Sequence, residues 1–124
     1  MTWLAVAAGG ALGSVARYVL NQLLQPAGVR FPVGIALINI SGCLAIGLLA
    51  GLIASSRIAM SPAARDFAIV GILGGFTTFS TFGLDTLMLM RSNSPGSAAA
   101  NVLVQVVGGV LAVWLGYSLG APGK

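Results

Sequence analysis

Four long apolar stretches alternate with short polar clusters along the chain. The stretches occupy about 3–24, 32–54, 64–90 and 98–120, and each is near the roughly 20 residues that a helix needs to cross a bilayer core. Each polar cluster contains a proline with glycine or serine nearby, at Pro26, Pro62 and Pro95, and such clusters form turns. The pattern predicts an all-α integral membrane protein with four transmembrane helices. Since the loops are too short to hold a second domain, we expect one membrane domain over residues 1–124.

Composition supports lipid as the solvent of this chain. Hydrophobic residues make up 57% of the sequence and charged residues 6%, whereas soluble domains carry about 25% charged residues. A short soluble chain exposes most of its residues to water, and so few charges cannot cover such a surface. The signal-peptide interpretation of the first stretch is rejected, because it lacks a basic start and three more apolar stretches follow.

The residues available for chemistry exclude most enzyme classes. There is no histidine, one cysteine (Cys43) and only two acids, Asp66 and Asp85. Metal-ligand clusters, histidine-based triads and closely paired carboxylates are therefore absent from the sequence. The arginines stand singly and form no basic run, which argues against a nucleic-acid partner. We predict that the chain is not an enzyme.

Positive charges are balanced between the two sides that four spans define. Arg57, Arg65 and Lys124 fall on one side, and Arg17, Arg30 and Arg91 fall on the other. Orientation in a membrane follows an excess of positive charge in the cytoplasmic loops, and here neither side has one. Charge balance alone favours neither of two interpretations. In the first, copies insert both ways and pair as antiparallel dimers. In the second, some other cue orients a protein that simply has few charges.

Small residues recur four apart in all four spans. The pairs are Gly9 with Gly13, Gly47 with Gly51, Gly71 with Gly75, and Gly116 with Gly120. Such spacing places small residues on one helix face, where helices in lipid approach closely. The pairs predict tight helix packing and carry no information on transport.

The third span contains the most unusual segment, residues 74–82 (GGFTTFSTF). Two glycines followed by hydroxyl and aromatic residues disfavour an uninterrupted helix. They suit a broken third helix, whose freed backbone groups face protein or ions. Phe76, Phe79 and Phe82 recur every three residues and predict one shared aromatic face. The alternative is a structural kink with ordinary aromatic packing.

Other polar side chains within the spans are Arg17, Asn39, Asn101 and Gln105. Polar groups at membrane depth are costly and therefore often functional, although an amide also commonly bonds a neighbouring helix. The alternative for Arg17 is a shallow position from which its long side chain extends to the membrane–water interface. Asn101 and Gln105 share a helix face and predict either a polar seam or a pore wall. All four side chains donate hydrogen bonds, and no acid lies deep in a span, so the set favours an anion.

Three blocks resemble the CrcB/Fluc family of fluoride channels. They are residues 9–18 (GGALGSVARY), 34–42 (GIALINISG) and 74–82 (GGFTTFSTF). The third block is the most specific, and the resemblance covers the whole chain in the same four-span order. It implies an antiparallel dual-topology homodimer with two fluoride pores in the inner (plasma) membrane, through which fluoride leaves the cell passively and its toxicity is relieved.

The resemblance also implies roles for individual residues. Phe79 and Phe82 would line the anion path with Asn39 as amide donor beside them, Ser80 and Thr81 would belong to a hydroxyl track, and Arg17 would lie in an entry vestibule. The Gly74 and Thr77 backbone carbonyls of both subunits would hold a structural sodium ion.

Two departures from the family pattern concern the same path. Ile35 stands where relatives often have threonine, and span four carries Asn101 and Gln105 where relatives tend to have hydroxyl residues. We include both amides in the predicted fluoride path.

Two rival functions fit the length of the chain. A proton-coupled drug exporter of four spans needs a membrane carboxylate, usually glutamate, and the sequence has no glutamate. The hypothesis of a non-transporting membrane scaffold leaves the unusual segment 74–82 unexplained.

Overall fold

A computed structural model describes residues 2–123 as a bundle of helices. The order is α1 (Thr2–Leu24), α2 (Val33–Ala54), α3 (Pro62–Arg65), a π-helical segment (Asp66–Leu73), α4 (Gly74–Phe76), α5 (Phe79–Arg91) and α6 (Pro95–Gly120). The four apolar stretches of the sequence correspond to α1, α2, the continuous run Pro62–Arg91 and α6. Each of the four is long and apolar enough to cross a membrane, which confirms the prediction of four spanning helices. Lys124, counted in the charge balance, lies outside the described residues.

The fourth spanning helix begins earlier than the apolar pattern indicates. We expected its start near residue 98, but α6 begins at Pro95. Proline fits the first position of a helix because the N–H that it lacks has no helical partner there. The turn before α6 contains Asn93 with a φ of 58°, a left-handed conformation that asparagine tolerates better than most residues.

The third span is assembled from consecutive segments of different helical type. Ser61 caps the start of α3 by accepting a hydrogen bond from the Ala64 N–H, the usual role of serine at a helix start. The backbone is π-helical over Asp66–Leu73 and α-helical over Gly74–Phe76. It becomes extended at Thr77 (φ −87°, ψ 159°) and Thr78 (φ −151°, ψ 117°), and α5 begins at Phe79. The extended residues are thus the two threonines, and both glycines before them remain helical.

Glycines bring two pairs of helices into backbone contact. On α1, Gly9 and Gly13 face the backbone of the third span, where a side chain at Gly71 would lie 2.9 Å from the Gly9 Cα. On α6, a side chain at Gly120 would lie 2.6 Å from the Leu48 carbonyl oxygen of α2. No real Cβ is accommodated at such distances. The prediction of tight packing through small residues is confirmed, and it fixes α1 against the third span and α2 against α6.

The second half of the third span depends on α6 for support. Helix α5 packs chiefly against α6, with much smaller contacts to α2. Phe82 and Leu89 are the buried apolar residues of α5, and Asn101 of α6, which is completely buried, bonds Thr86 of the same helix α5. Whatever fixes α5 to α6 therefore fixes the position of the aromatic residues that follow the extended threonines.

Candidate functional site

Asn39 of α2 binds the backbone of the interrupted third span. Its Oδ1 accepts the Thr78 N–H at 2.8 Å, and its Nδ2 donates to the Thr78 carbonyl at 3.1 Å. The carboxamide thereby pairs with Thr78 as a neighbouring peptide group would. The extended residues lie midway along the third candidate span, Pro62–Arg91, and unpaired backbone groups are costly within a bilayer. Asn39 pairs with both backbone groups of Thr78.

A chain of amide side chains continues from Asn39 into α6. Asn39 Nδ2 donates to Gln105 Oε1 at 2.6 Å, and Gln105 Nε2 donates to Asn101 Oδ1 at 2.8 Å. Asn101 Nδ2 donates to Thr86 Oγ1 at 2.9 Å, and Thr86 donates to the Phe82 carbonyl at 2.8 Å. We call these four side chains (Asn39, Gln105, Asn101 and Thr86) the amide chain.

The direction of the amide chain is set by one backbone group. A backbone N–H only donates, so the Thr78 N–H requires the oxygen of Asn39, and the Asn39 nitrogen must face Gln105. Gln105 then presents its oxygen to Asn39 and its nitrogen to Asn101, and Asn101 presents its nitrogen to Thr86. The three hydrogen bonds between these side chains are therefore all donated in one direction, from Asn39 of α2 through α6 to Thr86 of α5.

The start of α5 gathers the hydroxyl groups of the third span. Thr78 caps this helix: its Oγ1 accepts the Thr81 N–H at 3.3 Å and lies 3.0 Å from Thr81 Oγ1 and 3.3 Å from Ser80 Oγ. A helix start favours negative charge because its first N–H groups lack helical partners. The predicted hydroxyl residues Ser80 and Thr81 thus lie together at a position suited to an anion.

Two aromatic rings follow the cap. The Phe79 and Phe82 rings have centroids 5.3 Å apart and are tilted by 47°. Phe82 is 9% exposed and packs inside the bundle, whereas Phe79 is 82% exposed. Phe76 belongs to α4, on the other side of the extended residues, so the expectation of one helical face carrying all three rings is wrong. The change of backbone direction at Thr77 and Thr78 separates Phe76 from the pair.

A cavity of about 340 Å³ lies beside the extended residues and the ring pair. Its lining includes Asn39 and Gln105 of the amide chain, both Phe79 and Phe82, and the backbone around Gly74, Thr77 and Thr78. The remaining lining is apolar, and no acidic residue belongs to it. The polar elements of this cavity are thus amide and hydroxyl side chains, backbone carbonyls and ring edges, which carry partial positive charge.

The two carbonyls predicted to bind sodium have both lost their helical partners. In a continued helix the Gly74 carbonyl would accept from the Thr78 N–H, which donates to Asn39. The Thr77 carbonyl would accept from the Thr81 N–H, which donates to Thr78 Oγ1. Carbonyls freed in this way suit a cation such as sodium. A side chain at Gly42 would collide with the Thr77 methyl group, so this glycine makes room for the extended segment.

Four residues of the predicted path do not belong to the cavity lining: Arg17, Ser80, Thr81 and Asn101. Arg17 lies half-buried on α1 and is not among the cavity-lining residues. Asn101 is completely buried, and it is linked to the cavity by its hydrogen bond with Gln105, which lines it. Thr78 and Thr86 are site residues that the sequence analysis did not single out. A helix-capping pattern could have indicated Thr78, because threonine directly before a helix is a usual cap.

Asp85 lies apart from this site. It is half-buried on α5, and its Oδ2 is a buried oxygen without a hydrogen-bond partner in the part of the chain that the structure describes. Asp85 lines a second cavity with Arg30 and Ser92, towards the end of α5.

Four helices that are long and apolar enough to cross a membrane define a small multi-pass membrane protein. The model of the family described as CrcB-like protein, Camphor Resistance (CrcB), matches residues 4–117. The chain belongs to this family.

Three similar proteins are each named fluoride-specific ion channel FluC. The relative from Methylobacillus flagellatus is 47% identical over 116 residues, covering 92% of this chain and 90% of its own length. The relative from Rhodospirillum rubrum is 48% identical over 119 residues, covering 94% and 92%. The relative from Nitrobacter winogradskyi is 51% identical over 111 residues, covering 86% and 87%. In each comparison the similarity thus covers most of this chain and most of the relative.

Proposed function

We propose that the chain is a fluoride-selective ion channel that lets fluoride leave the cell passively and so relieves fluoride toxicity. One observation of the structure carries the proposal: the start of α5 and the Phe79–Phe82 pair meet a cavity whose lining contains donors and no acid. The names of the relatives point to the same ion. A channel is not an enzyme, and we propose no catalytic residue.

In this proposal the extended residues Thr77 and Thr78 are a functional break in the third helix. The first N–H groups of α5 and the hydroxyls of Ser80 and Thr81 attract the anion. The edges of the Phe79 and Phe82 rings stabilise it without holding it tightly. Conduction requires sites that are favourable enough to enter and weak enough to leave. Arg17, outside the cavity lining, supplies positive charge towards the entrance. Asn39 and Gln105 supply the amide section of the path, and Asn101 holds Gln105 in place.

We further propose that two copies pair in opposite orientations. Three positive charges on each side of the spans give no preferred orientation. Phe79, at 82% exposure, leaves the side of the path unfinished in one chain, and a second copy would cover it. The Gly74 and Thr77 carbonyls of both copies would then supply four oxygens for a structural sodium ion, where a single chain supplies two.

We place the protein in the inner (plasma) membrane. Fluoride enters cells as the neutral acid and ionises inside, so a passive pore lets the anion leave with the membrane potential. Neither rival function explains the site. An exporter needs an embedded carboxylate on the transport path, but Asp85 lines the separate cavity near the end of α5. A scaffold requires no donor-lined cavity.

The function is tested in bacteria that lack their own fluoride channel. We expect cells that express this chain to accumulate less fluoride in mildly acidic medium, and to grow at higher fluoride, than cells with an empty vector. Cells expressing Phe79→Ile at the same membrane level are the matched control. Equal fluoride accumulation with the intact chain and the empty vector would contradict the proposed function.

The dimer is tested separately by cysteine cross-linking. The chain has one cysteine, Cys43, so a Cys43→Ala background allows a single new cysteine at Phe79. We expect cross-linking through this exposed position in native membranes. Trp3→Cys, also exposed but far along the chain from the cavity, is the control. Equal cross-linking from both positions, or none from Phe79→Cys, would argue against pairing through this face.

A further inference from the structure

Asn39 has no N–H group left for an anion. Its two N–H groups are directed to the Thr78 carbonyl and to Gln105 Oε1, and a primary amide has only two. Its oxygen is also engaged, by the Thr78 N–H. If Asn39 donates to fluoride, one of the present partners must first leave.

The two partners differ in how easily they leave. Thr78 is bound reciprocally through its N–H and its carbonyl, and both are backbone groups of a buried residue. Gln105 is bound to Asn39 by one hydrogen bond at the end of a flexible side chain, and it also lines the cavity. Gln105 is therefore the partner that an arriving anion replaces.

We propose that Gln105 Oε1 is an internal acceptor that fluoride must displace from Asn39, and that this exchange contributes to selectivity. The inference rests on the proposed function. An anion gains the Asn39 N–H only if it is a better hydrogen-bond acceptor than an amide oxygen. Fluoride, small and with concentrated charge, meets this condition in a dehydrated site more readily than the larger chloride. Gln105 remains tethered meanwhile through its Nε2 bond to Asn101.

The inference concerns a position where this chain departs from the hydroxyl pattern described above. A hydroxyl side chain is too short to reach Asn39 as Gln105 does, and it would leave the Asn39 N–H open to any anion. The amide at Gln105 thus adds a competition step to the path.

The first experiment measures fluoride and chloride efflux from liposomes containing Gln105→Met, which keeps the side-chain length and removes the amide acceptor. We expect the fluoride-to-chloride rate ratio to fall by about tenfold, because one typical net hydrogen bond corresponds to a factor of this order. Gln105→Ser, which is shorter and polar, is expected to lower the ratio too, and it serves if the first variant does not fold. Ser118→Ala removes a hydroxyl from the same helix that bonds only the Trp114 carbonyl, and it should leave the ratio unchanged.

The second experiment observes Gln105 directly. The chain has three glutamines, Gln22, Gln25 and Gln105, so glutamine-selective ¹⁵N labelling of the purified protein gives few side-chain amide signals. Titration with sodium fluoride should shift the Gln105 signal, while the other two remain as internal controls. Sodium chloride at the same concentrations should leave all three unchanged.

The outcomes separate this inference from the proposed function. Absence of fluoride efflux from the unmodified protein would overturn the proposed function itself. Fluoride efflux from the unmodified protein, with both Gln105 variants retaining its rate ratio, would overturn only the exchange role of Gln105. An unmoved Gln105 signal in a protein that conducts fluoride would overturn it as well.

Discussion

Replacing Asn39 by aspartate perturbs the site with almost no change in volume. One carboxylate oxygen still accepts the Thr78 N–H, as Asn39 Oδ1 does at 2.8 Å. The other oxygen then faces the Thr78 carbonyl and Gln105 Oε1, which are both acceptors. An ionised aspartate repels both oxygens, and a protonated one donates to only one of them. At least one of the two donated hydrogen bonds is therefore lost.

The hydrogen bonds that this change removes cost less than the repulsion that it places on the fluoride path. Hydrogen bonds between membrane helices average about 0.6 kcal/mol, with a maximum near 1.7, so losing one or two costs roughly 0.6–3.4 kcal/mol. Two like charges about 4 Å apart repel by roughly 4 kcal/mol at an effective dielectric constant near 20. That repulsion corresponds to about a thousandfold in rate. We expect Asn39→Asp to keep the oligomeric state of the unmodified protein and to show little or no fluoride efflux.

The assay combines efflux and integrity on the same samples. Fluoride release from liposomes is followed with a fluoride electrode, and the oligomeric state is checked by gel filtration before reconstitution. Asn93→Asp is the matched control, because Asn93 is exposed in the turn between α5 and α6. Near-normal efflux from Asn39→Asp would refute the reasoning and return Asn39 to a purely structural role.

Three further predictions address the aromatic pair, the packing and the topology. Phe79→Ile and Phe82→Ile should each strongly reduce fluoride efflux; Phe82→Ile should also lower the unfolding temperature, since Phe82 is buried within its own chain. Unchanged efflux in both would remove the rings from the path. Gly116→Ala should cost about 1–3 kcal/mol by overpacking, because its methyl group meets the Leu44 carbonyl; an unchanged thermal unfolding curve would contradict the close contact of α2 and α6. Reporters at the C-terminus should face both sides of the membrane in similar amounts, and added lysines in one loop should bias them; reporters on one side alone would argue against dual topology.

The sequence predicts the spans well because lipid imposes a simple condition on them. A crossing helix needs a long apolar run, and all four runs are visible as spanning helices in the structure. The glycine pairs likewise indicate close packing, because a missing side chain is readable wherever it occurs. These features depend on local sequence and on the solvent.

The amide chain was not predictable in the same way. Asn39 and Gln105 are 66 residues apart, and nothing in the local pattern of either helix indicates their pairing. The sequence left Asn101 and Gln105 open between a seam and a pore wall. In the structure both join a hydrogen-bonded chain, and only Gln105 also reaches the cavity. The extended backbone at Thr77 and Thr78 depends equally on a distant partner, since Asn39 of α2 replaces the helical partner of the Thr78 N–H.

Anion efflux from liposomes that contain only the purified protein tests the central claim most directly. Vesicles are loaded with potassium fluoride or potassium chloride, and valinomycin is added so that potassium leaves with the anion and no opposing voltage builds up. We predict rapid release of fluoride and retention of chloride, with protein-free vesicles retaining both. Retention of fluoride at the level of protein-free vesicles, or release of chloride as fast as fluoride, would contradict the assignment of a fluoride-selective channel.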